Sequence, residues 1–225
     1  MGKECMAKKP PKSPPKNVYL PKDRLFHRAK EVGLRSRAGF KLIELNQKLK
    51  IIQLGDFVID LGSAPGAWSQ VAADLIGSKG KVFSIDLEAL KQTSSLAKNI
   101  YFFQGDIQNE NTLEKLKDLL SQHDPPKVQV VLSDLSPKLS GIHQRDHLQS
   151  IHLARDALTI AQKFLQKSGN FLVKVFPGEE LESFRKEVAH QFSKEKLLHL
   201  ESSRRTSKEG YICATGFNGH YESNS

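Results

Sequence analysis

Short apolar runs rich in Val, Ile, Leu and Phe recur along the chain, each followed by polar or glycine-containing residues. Runs of this length and composition are typical of buried strands in a parallel sheet. They predict five strands: FVIDL (57–61), KVFSIDL (81–87), IYFFQGD (100–106), VQVVLSD (128–134) and NFLVKVF (170–176). The last run is unusual because a lysine, Lys174, interrupts it.

Longer segments with apolar residues three and four positions apart predict amphipathic helices. They are GLRSRAGFKLIELNQKL (33–49), AWSQVAADLI (67–76), NTLEKLKDLLSQH (111–123), LQSIHLARDALTIAQKFLQ (148–166) and EELESFRKEVAHQF (179–192). This alternation predicts a Rossmann-like α/β fold with helices on both faces of a mostly parallel sheet. Two further strands, KLLHLES (196–202) and YICATGF (211–217), complete seven; the short loop between them predicts that at least one is antiparallel, at an edge.

The length and the proline distribution predict one folded domain with a tail at each end. The 225 residues suffice for one α/β domain with a substantial core. Five of the ten prolines fall within residues 1–21, which disfavours regular structure there and predicts a flexible basic tail. We therefore expect a single domain over 22–216 and a frayed C-terminal tail over 217–225.

The formal net charge of +9 is concentrated at the N-terminus. Residues 1–41 hold 12 Lys and Arg against 3 Asp and Glu, whereas the remainder holds 22 of each. A basic block beside a neutral domain is typical of a protein that binds a polyanion, most commonly nucleic acid. A solubilising tail is the alternative that charge alone leaves open.

Several classes of protein are disfavoured by what the sequence lacks. No apolar run approaches the roughly 20 residues that span a bilayer, and the charged, Pro-rich start is not a secretory signal. The two cysteines, Cys5 and Cys213, lie far apart, which fits a reducing cytoplasm. The spacing of His143 and His147 is not sufficient to predict zinc, so we expect no metal site.

Four successive predicted strands end on aspartate: Asp60, Asp86, Asp106 and Asp134. Any one of them alone has an even chance of being a helix cap or turn residue. In open α/β sheets, however, ligands bind at the carboxyl ends of the strands. The series therefore predicts an acidic ligand-binding edge.

The loop DLGSAPGAWS (60–69) follows the first strand and opens a helix, as nucleotide-binding loops do. The spacing of its two glycines does not match the G-x-G-x-x-G dinucleotide fingerprint, and the lysine of a phosphate-binding loop does not follow it. Asp86 lies 24 residues after Gly62, a distance suited to a ribose diol, and Asp106 is suited to an adenine amine. An acidic edge repels the pyrophosphate of NAD but attracts the sulfonium and ammonium of S-adenosylmethionine (SAM), which is therefore the predicted cofactor.

Six segments together resemble the FtsJ-like, RlmE-type family of ribosomal RNA 2′-O-methyltransferases, from about Arg35 to Gly216. They are RSRAGFKL, DLGSAPGAWSQ, QGD, VVLSDLSPKLSG, GNFLVKVFPGEE and SSRRTSKEGYICATG. The chain departs from the family pattern at Ala67, where Gly is usual, and over 135–138, where the family has a Met-Ala-Pro-Asn type of stretch.

The resemblance implies two sets of site residues. The catalytic Lys-Asp-Lys-Glu tetrad corresponds to Lys41, Asp134, Lys174 and Glu209. The SAM contacts, or residues shaping the SAM loop, correspond to Gly62, Pro65, Gly66, Trp68, Asp86, Asp106 and Asp134. Without the family, Trp68 is as well explained by core packing.

The resemblance implies transfer of the SAM methyl group to a ribose 2′-oxygen. A neutral hydroxyl is a poor nucleophile, so the reaction needs a group that withdraws or shares its proton, and the resemblance implies that this group is Lys174. An ordinary lysine, with a pKa of about 10.4, is charged at neutral pH. Burial and Lys41 would lower that pKa, whereas Asp134 and Glu209 would raise it. The sequence therefore leaves two roles open: a general base, or a charged group that steers the hydroxyl and stabilises the developing oxyanion.

The implied substrate is a uridine in the A-loop of 23S rRNA within the assembled 50S subunit. DNA is excluded because it lacks the 2′-hydroxyl. Predicted RNA contacts are Arg24, Arg28, Lys30, Arg35, Arg37 and Lys138. We expect a cytoplasmic monomer without membrane contact. Alternatives are a tRNA or cap 2′-O-methyltransferase, an NAD(P) oxidoreductase, and a non-catalytic ribosome-assembly protein.

Overall fold

A computed structural model describes residues 31, 33–90, 96–123, 127–200 and 209–219. The predicted tail over 1–21 and residues 220–225 of the other tail lie outside these ranges, and so does Cys5.

Five helices and seven strands are described. The helices are α1 (Ala38–Leu49), α2 (Ala67–Ile76), α3 (Glu110–Ser121), α4 (His143–Phe164) and α5 (Leu181–Gln191). The strands are β1 (Phe57–Leu61), β2 (Lys81–Asp86), β3 (Ile100–Gln104), β4 (Val128–Ser133), β5 (Leu165–Val175), β6 (Phe192–Leu198) and β7 (Gly210–Phe217). The prediction placed the start of α1 too early, because Leu34 packs against the core ahead of the helix. It placed the start of α4 too late, because the polar first turn of that helix carries no apolar period.

All seven strands form one sheet in the order β3-β2-β1-β4-β5-β7-β6. β1 pairs in parallel with β2 and β4, and the parallel pairing continues outward to β3 and β5. β7 runs antiparallel to both neighbours, β5 and β6. The predicted fold class is confirmed, and the antiparallel strand is placed between β5 and the edge strand β6.

The start of the sixth strand differs from the prediction. Phe192, predicted to end a helix, begins β6, whereas β7 ends at Phe217, as predicted for the strand over 211–217. The two residues pair in register, their ring centroids lie 5.2 Å apart, and both side chains are buried. The strand therefore starts at Phe192 rather than residue 196, because this aromatic pair anchors its first residue in the core. The segment SKEK (193–196), which follows Phe192, is too polar to show a strand pattern in the sequence.

Apolar layers cover both faces of the sheet. On one face, buried residues of α3, α4 and α5 pack against β1, β4 and β5. On the other, α1 and α2 cover the sheet with residues such as Leu42, Leu45 and Val71. Within the described residues, no helix is long and apolar enough to cross a membrane.

The strand order fixes where a ligand site can form. The chain runs outward from β1 to β2 and β3, then returns to β4 on the other side of β1. The carboxyl ends of β1 and β4 therefore flank the point at which the order reverses. Ligands of open α/β sheets bind at this place.

Candidate active site

Lys174 lies at the carboxyl end of β5, where its Nζ atom contacts Asp134, the residue that follows β4. Its side chain is only 6% exposed. The Nζ atom donates a hydrogen bond to the carbonyl oxygen of Asp134 at 2.7 Å and lies 3.2 Å from Asp134 Oδ1. A buried ammonium requires such partners. The lysine that interrupts the apolar strand is therefore held at the predicted ligand edge.

A second lysine–acid pair joins α1 to the residue before β7. Lys41 Nζ donates to Glu209 Oε1 at 2.5 Å, and the two side chains are 17% and 10% exposed. The partners are 168 positions apart in the chain. The fold therefore brings together residues that the sequence could pair only through the family resemblance.

Tyr211, which was not among the predicted site residues, connects the two pairs. Its hydroxyl donates to Asp134 Oδ1 at 3.0 Å, and its ring centroid lies 5.9 Å from Lys41 Nζ. Burial, followed by the nearby charges of Asp134 and Glu209, raises the pKa of Tyr211 well above its usual value, so the phenol is neutral. Tyr211 lies opposite Lys174 in the β5–β7 register. Its position two residues after Glu209, on the same face of an extended chain, was the available signal.

The predicted nucleotide-binding loop forms a tight strand-to-helix turn between β1 and α2. Gly62 and Gly66 have positive φ angles of 75° and 99°. A Cβ atom at Gly62 would come within 2.8 Å of the Leu135 side chain. Both positions therefore require glycine.

Asp86 and Asp106 are fixed by turns next to the loop. Asp86 Oδ2 accepts a hydrogen bond from the Ala64 N–H at 2.8 Å, and its Oδ1 accepts from Glu88 N–H at 2.7 Å. Asp106 is exposed, and its Oδ1 accepts from Gln108 N–H at 2.9 Å. Each carboxylate oxygen has a second lone pair. Both side chains therefore retain acceptor capacity for a ligand.

The indole of Trp68 is used for packing. It is 2% exposed, donates from Nε1 to the Ala38 carbonyl at 2.9 Å, and its ring lies 5.9 Å from that of Tyr211. The side chain is therefore occupied by packing, and the predicted cofactor contact stays a prediction.

The predicted RNA contacts are only partly described. Arg24, Arg28 and Lys30 lie outside the described residues. Arg35 lies over the nucleotide-binding loop, where its Nη1 donates to the Pro65 carbonyl at 3.3 Å. Arg37 precedes α1, and Lys138 is exposed after β4. Of the six predicted RNA contacts, three are therefore described, and their role in RNA binding stays a prediction.

Asp60 adds a buried carboxyl group beneath the loop. Its Oδ2 accepts from Ser69 Oγ at 2.6 Å. Desolvation, opposed by this hydrogen bond and reinforced by repulsion from Asp134 and Asp86, raises its pKa to about 7. Among the described residues, Asp60 Oδ1, Ser63 Oγ and Ser133 Oγ are buried without a hydrogen-bond partner. These acceptors lie at the ends of β1 and β4, which fits a ligand carrying cationic donors.

Replacing Asp60 with asparagine should remove part of the pH dependence of stability. The folded-state pKa of about 7 lies above the unfolded value, so the stability that Asp60 contributes is complete below the unfolded pKa and is lost as pH rises through 7. We expect the free energy of unfolding of the wild type to fall by about 1 kcal/mol more than that of Asp60→Asn between pH 6 and pH 8. Urea titrations at the two pH values measure this.

Asp74→Asn is the matched control, because Asp74 is an exposed carboxylate on α2. It should keep the wild-type pH dependence. Equal pH dependence in Asp60→Asn and the wild type would contradict the assignment.

Potential metal ligands do not cluster within the described ranges. No group of three or more His, Cys, Asp or Glu residues there could hold a metal ion. The lysine–acid pairs and the acidic edge are instead suited to proton transfer and to binding a cationic ligand.

Comparison with known proteins identifies relatives along nearly the whole chain. The chain is 42% identical to ribosomal RNA large subunit methyltransferase E of Archaeoglobus fulgidus over 195 residues, which are 87% of this chain and 96% of the relative. It is 39% identical to the protein of the same name from Stutzerimonas stutzeri over 197 residues, covering 88% and 92% of the two chains.

Solved structures agree on the fold. A Plasmodium falciparum protein assigned as a ribosomal RNA methyltransferase superposes with a TM-score of 0.72 and 27% identity, over 83% of this chain and all of that one. Fibrillarin from Aeropyrum pernix, solved with bound SAM, superposes with a TM-score of 0.55 and 19% identity, over 73% and 68% of the two chains. The family model of the FtsJ-like methyltransferases matches residues 34–217. The chain therefore belongs to the FtsJ-like methyltransferase family.

Proposed function

We propose that this chain transfers the methyl group of SAM to a ribose 2′-hydroxyl of large-subunit ribosomal RNA. The observation that carries the proposal is the convergence of the Lys174–Asp134 and Lys41–Glu209 pairs around Tyr211 at the end of the sheet. The RNA class comes from the names of the relatives.

The residues around the nucleotide-binding loop suit SAM. The backbone at Gly62, Pro65 and Gly66 would border the methionine part, while Asp86 would accept from the ribose and Asp106 from the adenine amine. When bound, SAM supplies an electrophilic methyl group on a sulfonium cation. The unpartnered acceptor Asp60 Oδ1 supports a cationic ligand, because a buried acceptor without a partner is costly. The pyrophosphate of NAD would meet repulsion at the same edge.

Lys174 is the residue that we place against the reacting hydroxyl. Asp134 fixes its Nζ through both a carbonyl and a carboxylate oxygen, so the amine can approach a substrate oxygen in one direction only. As the 2′-oxygen attacks, the proton is accepted by Lys174 or is shared with it, and positive charge at Nζ then stabilises the oxygen. The remaining rate enhancement comes from holding the hydroxyl in line with the methyl group.

The other residues position this lysine and the RNA. Tyr211 donates to the Asp134 oxygen that also faces Lys174, which holds the carboxylate in its orientation. Glu209 holds Lys41 beside the ring of Tyr211, so that a second cation lies near the hydroxyl and the adjacent phosphates.

The finer assignment extends to the target nucleotide. We propose a uridine in the A-loop of 23S rRNA, modified in the assembled 50S subunit by a cytoplasmic monomer. The similarity of the motifs to the family supports this assignment, while the names of the relatives support only the large-subunit ribosomal RNA. Basic side chains before α1, with Lys138, would contact phosphates and provide affinity without sequence selectivity.

The test is transfer of labelled methyl from SAM to 50S subunits purified from cells that lack the modification. Free 23S rRNA and tRNA are offered separately, and the labelled nucleotide is mapped. We expect label at one uridine of the subunit. Label in tRNA alone would show that the substrate is tRNA rather than ribosomal RNA. SAM binding without methyl transfer to any RNA would contradict the enzymatic function.

A further inference from the structure

A cavity of about 530 Å³ opens beside the proposed catalytic edge, on the face covered by α4. One wall is the segment that begins at Pro137, three positions after Asp134; a second is Gln108, in the turn after Asp106; the third is α4, from Arg145. The lining contains no residue of the nucleotide-binding loop and neither lysine of the lysine–acid pairs. The cavity therefore adjoins the cofactor crevice but is separate from it.

The cavity carries cations. Lys138 and Arg145 are exposed on its rim. Neither has a carboxylate oxygen within 4.0 Å among the described residues, and Arg145 is attracted to Asp146 at longer range only. The one carboxylate in the lining, Asp156, accepts a hydrogen bond from the Gln108 amide at 2.8 Å. His152 adds a polar ring. Two exposed cations against one hydrogen-bonded carboxylate in the lining favour an anionic ligand such as a phosphate.

The loop between β4 and α4 is fixed before any ligand binds. The carboxylate of Asp146 accepts hydrogen bonds from Ser140 N–H at 2.8 Å, Ser140 Oγ at 2.7 Å and Gly141 N–H at 3.2 Å. The hydrogen bonds from Ser140, the main cause, lower the pKa of Asp146, so they persist at neutral pH. This fixed loop displays Leu139 and Ile142, which are 70% and 60% exposed. Exposed apolar side chains at a rigid position are typical of binding surfaces.

We propose that this cavity binds a nucleotide of the substrate RNA next to the methylated one. Its phosphate would lie against Lys138 and Arg145, its base against Pro137 and Leu153, and the Gln149 amide would face the base edge. The proposal rests on the proposed function for the identity of the polyanion. Adjacency to Asp134 supports RNA, because a strand presenting its ribose at Lys174 must continue along one side of the edge.

The test compares a double variant with a charge-matched control. Lys138→Ala/Arg145→Ala removes both rim cations, whereas Lys163→Ala/Lys167→Ala removes two exposed lysines near the amino end of β5. Equilibrium binding to unmodified 50S subunits and to free 23S rRNA is measured over a range of salt concentrations. We expect binding to both RNAs to weaken about tenfold in the double variant only, with a salt slope smaller by about 1 because the phosphate held by the two cations is lost.

Two further measurements are the RNA binding of Gln149→Ala and the SAM affinity of every variant. We expect Gln149→Ala to weaken RNA binding without changing the salt slope, and all variants to bind SAM as the wild type does. Wild-type RNA binding in the double variant would overturn the proposal. Weaker SAM binding with intact RNA binding would assign the cavity to the cofactor instead. Loss of binding to subunits but not to free 23S rRNA would assign it to a ribosomal protein.

These measurements need no turnover, so the cavity and the proposed reaction can fail separately. A wild type that transfers no methyl group to any RNA would contradict the reaction, while a binding defect confined to the double variant would still support the cavity.

Discussion

Lys174→Ala should lose methyl transfer by about a thousandfold or more in single-turnover rate while still binding SAM and RNA, because general acid–base groups contribute about 10²- to 10⁴-fold. The loss follows from the geometry: Lys174 Nζ is the atom that Asp134 holds at the end of β5. Rates are measured with saturating SAM and with enzyme in saturating excess over the 50S subunits, so that weaker binding does not mask the chemical step.

Two further variants at this position separate folding from chemistry and the two roles of the amine from each other. Lys174→Met keeps the side-chain volume and should be as inactive as Lys174→Ala. Lys174→Arg keeps a charge that cannot be removed at accessible pH, so it should be inactive if Lys174 accepts the proton and partly active if it only steers. A Lys174→Ala variant that retains more than a tenth of the wild-type rate would contradict the role assigned to this lysine.

Lys41→Met and Glu209→Gln should each lower kcat/KM by about a hundredfold, and the double variant should be little worse than either, because groups that act as a unit are not additive. The pair is mostly buried and its atoms are 2.5 Å apart, so losing either partner leaves the other misplaced. The measurement is a double-mutant cycle on kcat/KM, with unfolding followed in parallel.

Lys48→Met provides the control for that cycle. Lys48 forms an ion pair with Glu44 on the same helix, but its side chain is 44% exposed. Exposed pairs of this kind contribute little. Its kcat/KM should therefore stay within twofold of the wild type. Losses that multiply in the Lys41→Met/Glu209→Gln variant would show that the two residues act independently.

The sequence predicted the fold well where patterns were strong. Apolar runs identified β1 to β5, and the strand-end aspartates identified the edge at which the site forms. It failed where tertiary contacts outweigh local pattern. The rings of Phe192 and Phe217 pack against each other across β6 and β7, but the polar residues that follow Phe192 hide the start of β6.

The site was predicted in part for a related reason. A lysine in an apolar strand is conspicuous, so Lys174 could be singled out from the sequence. Tyr211 is an ordinary aromatic residue of a strand, and only the pairing of β5 with β7 shows that its hydroxyl contacts Asp134. Asp60 was recognised as a strand end, but its buried environment and raised pKa depend on the packing of α2.

The position of the transferred methyl group tests the central claim most directly. RNA labelled by the wild type is hydrolysed with alkali and, separately, digested to nucleosides for mass spectrometry. Because a 2′-O-methyl group blocks alkaline cleavage of the following phosphodiester, we predict label in an alkali-resistant dinucleotide and in 2′-O-methyluridine. Label in a mononucleotide carrying a methylated base would contradict ribose methylation and the role that the account gives to Lys174.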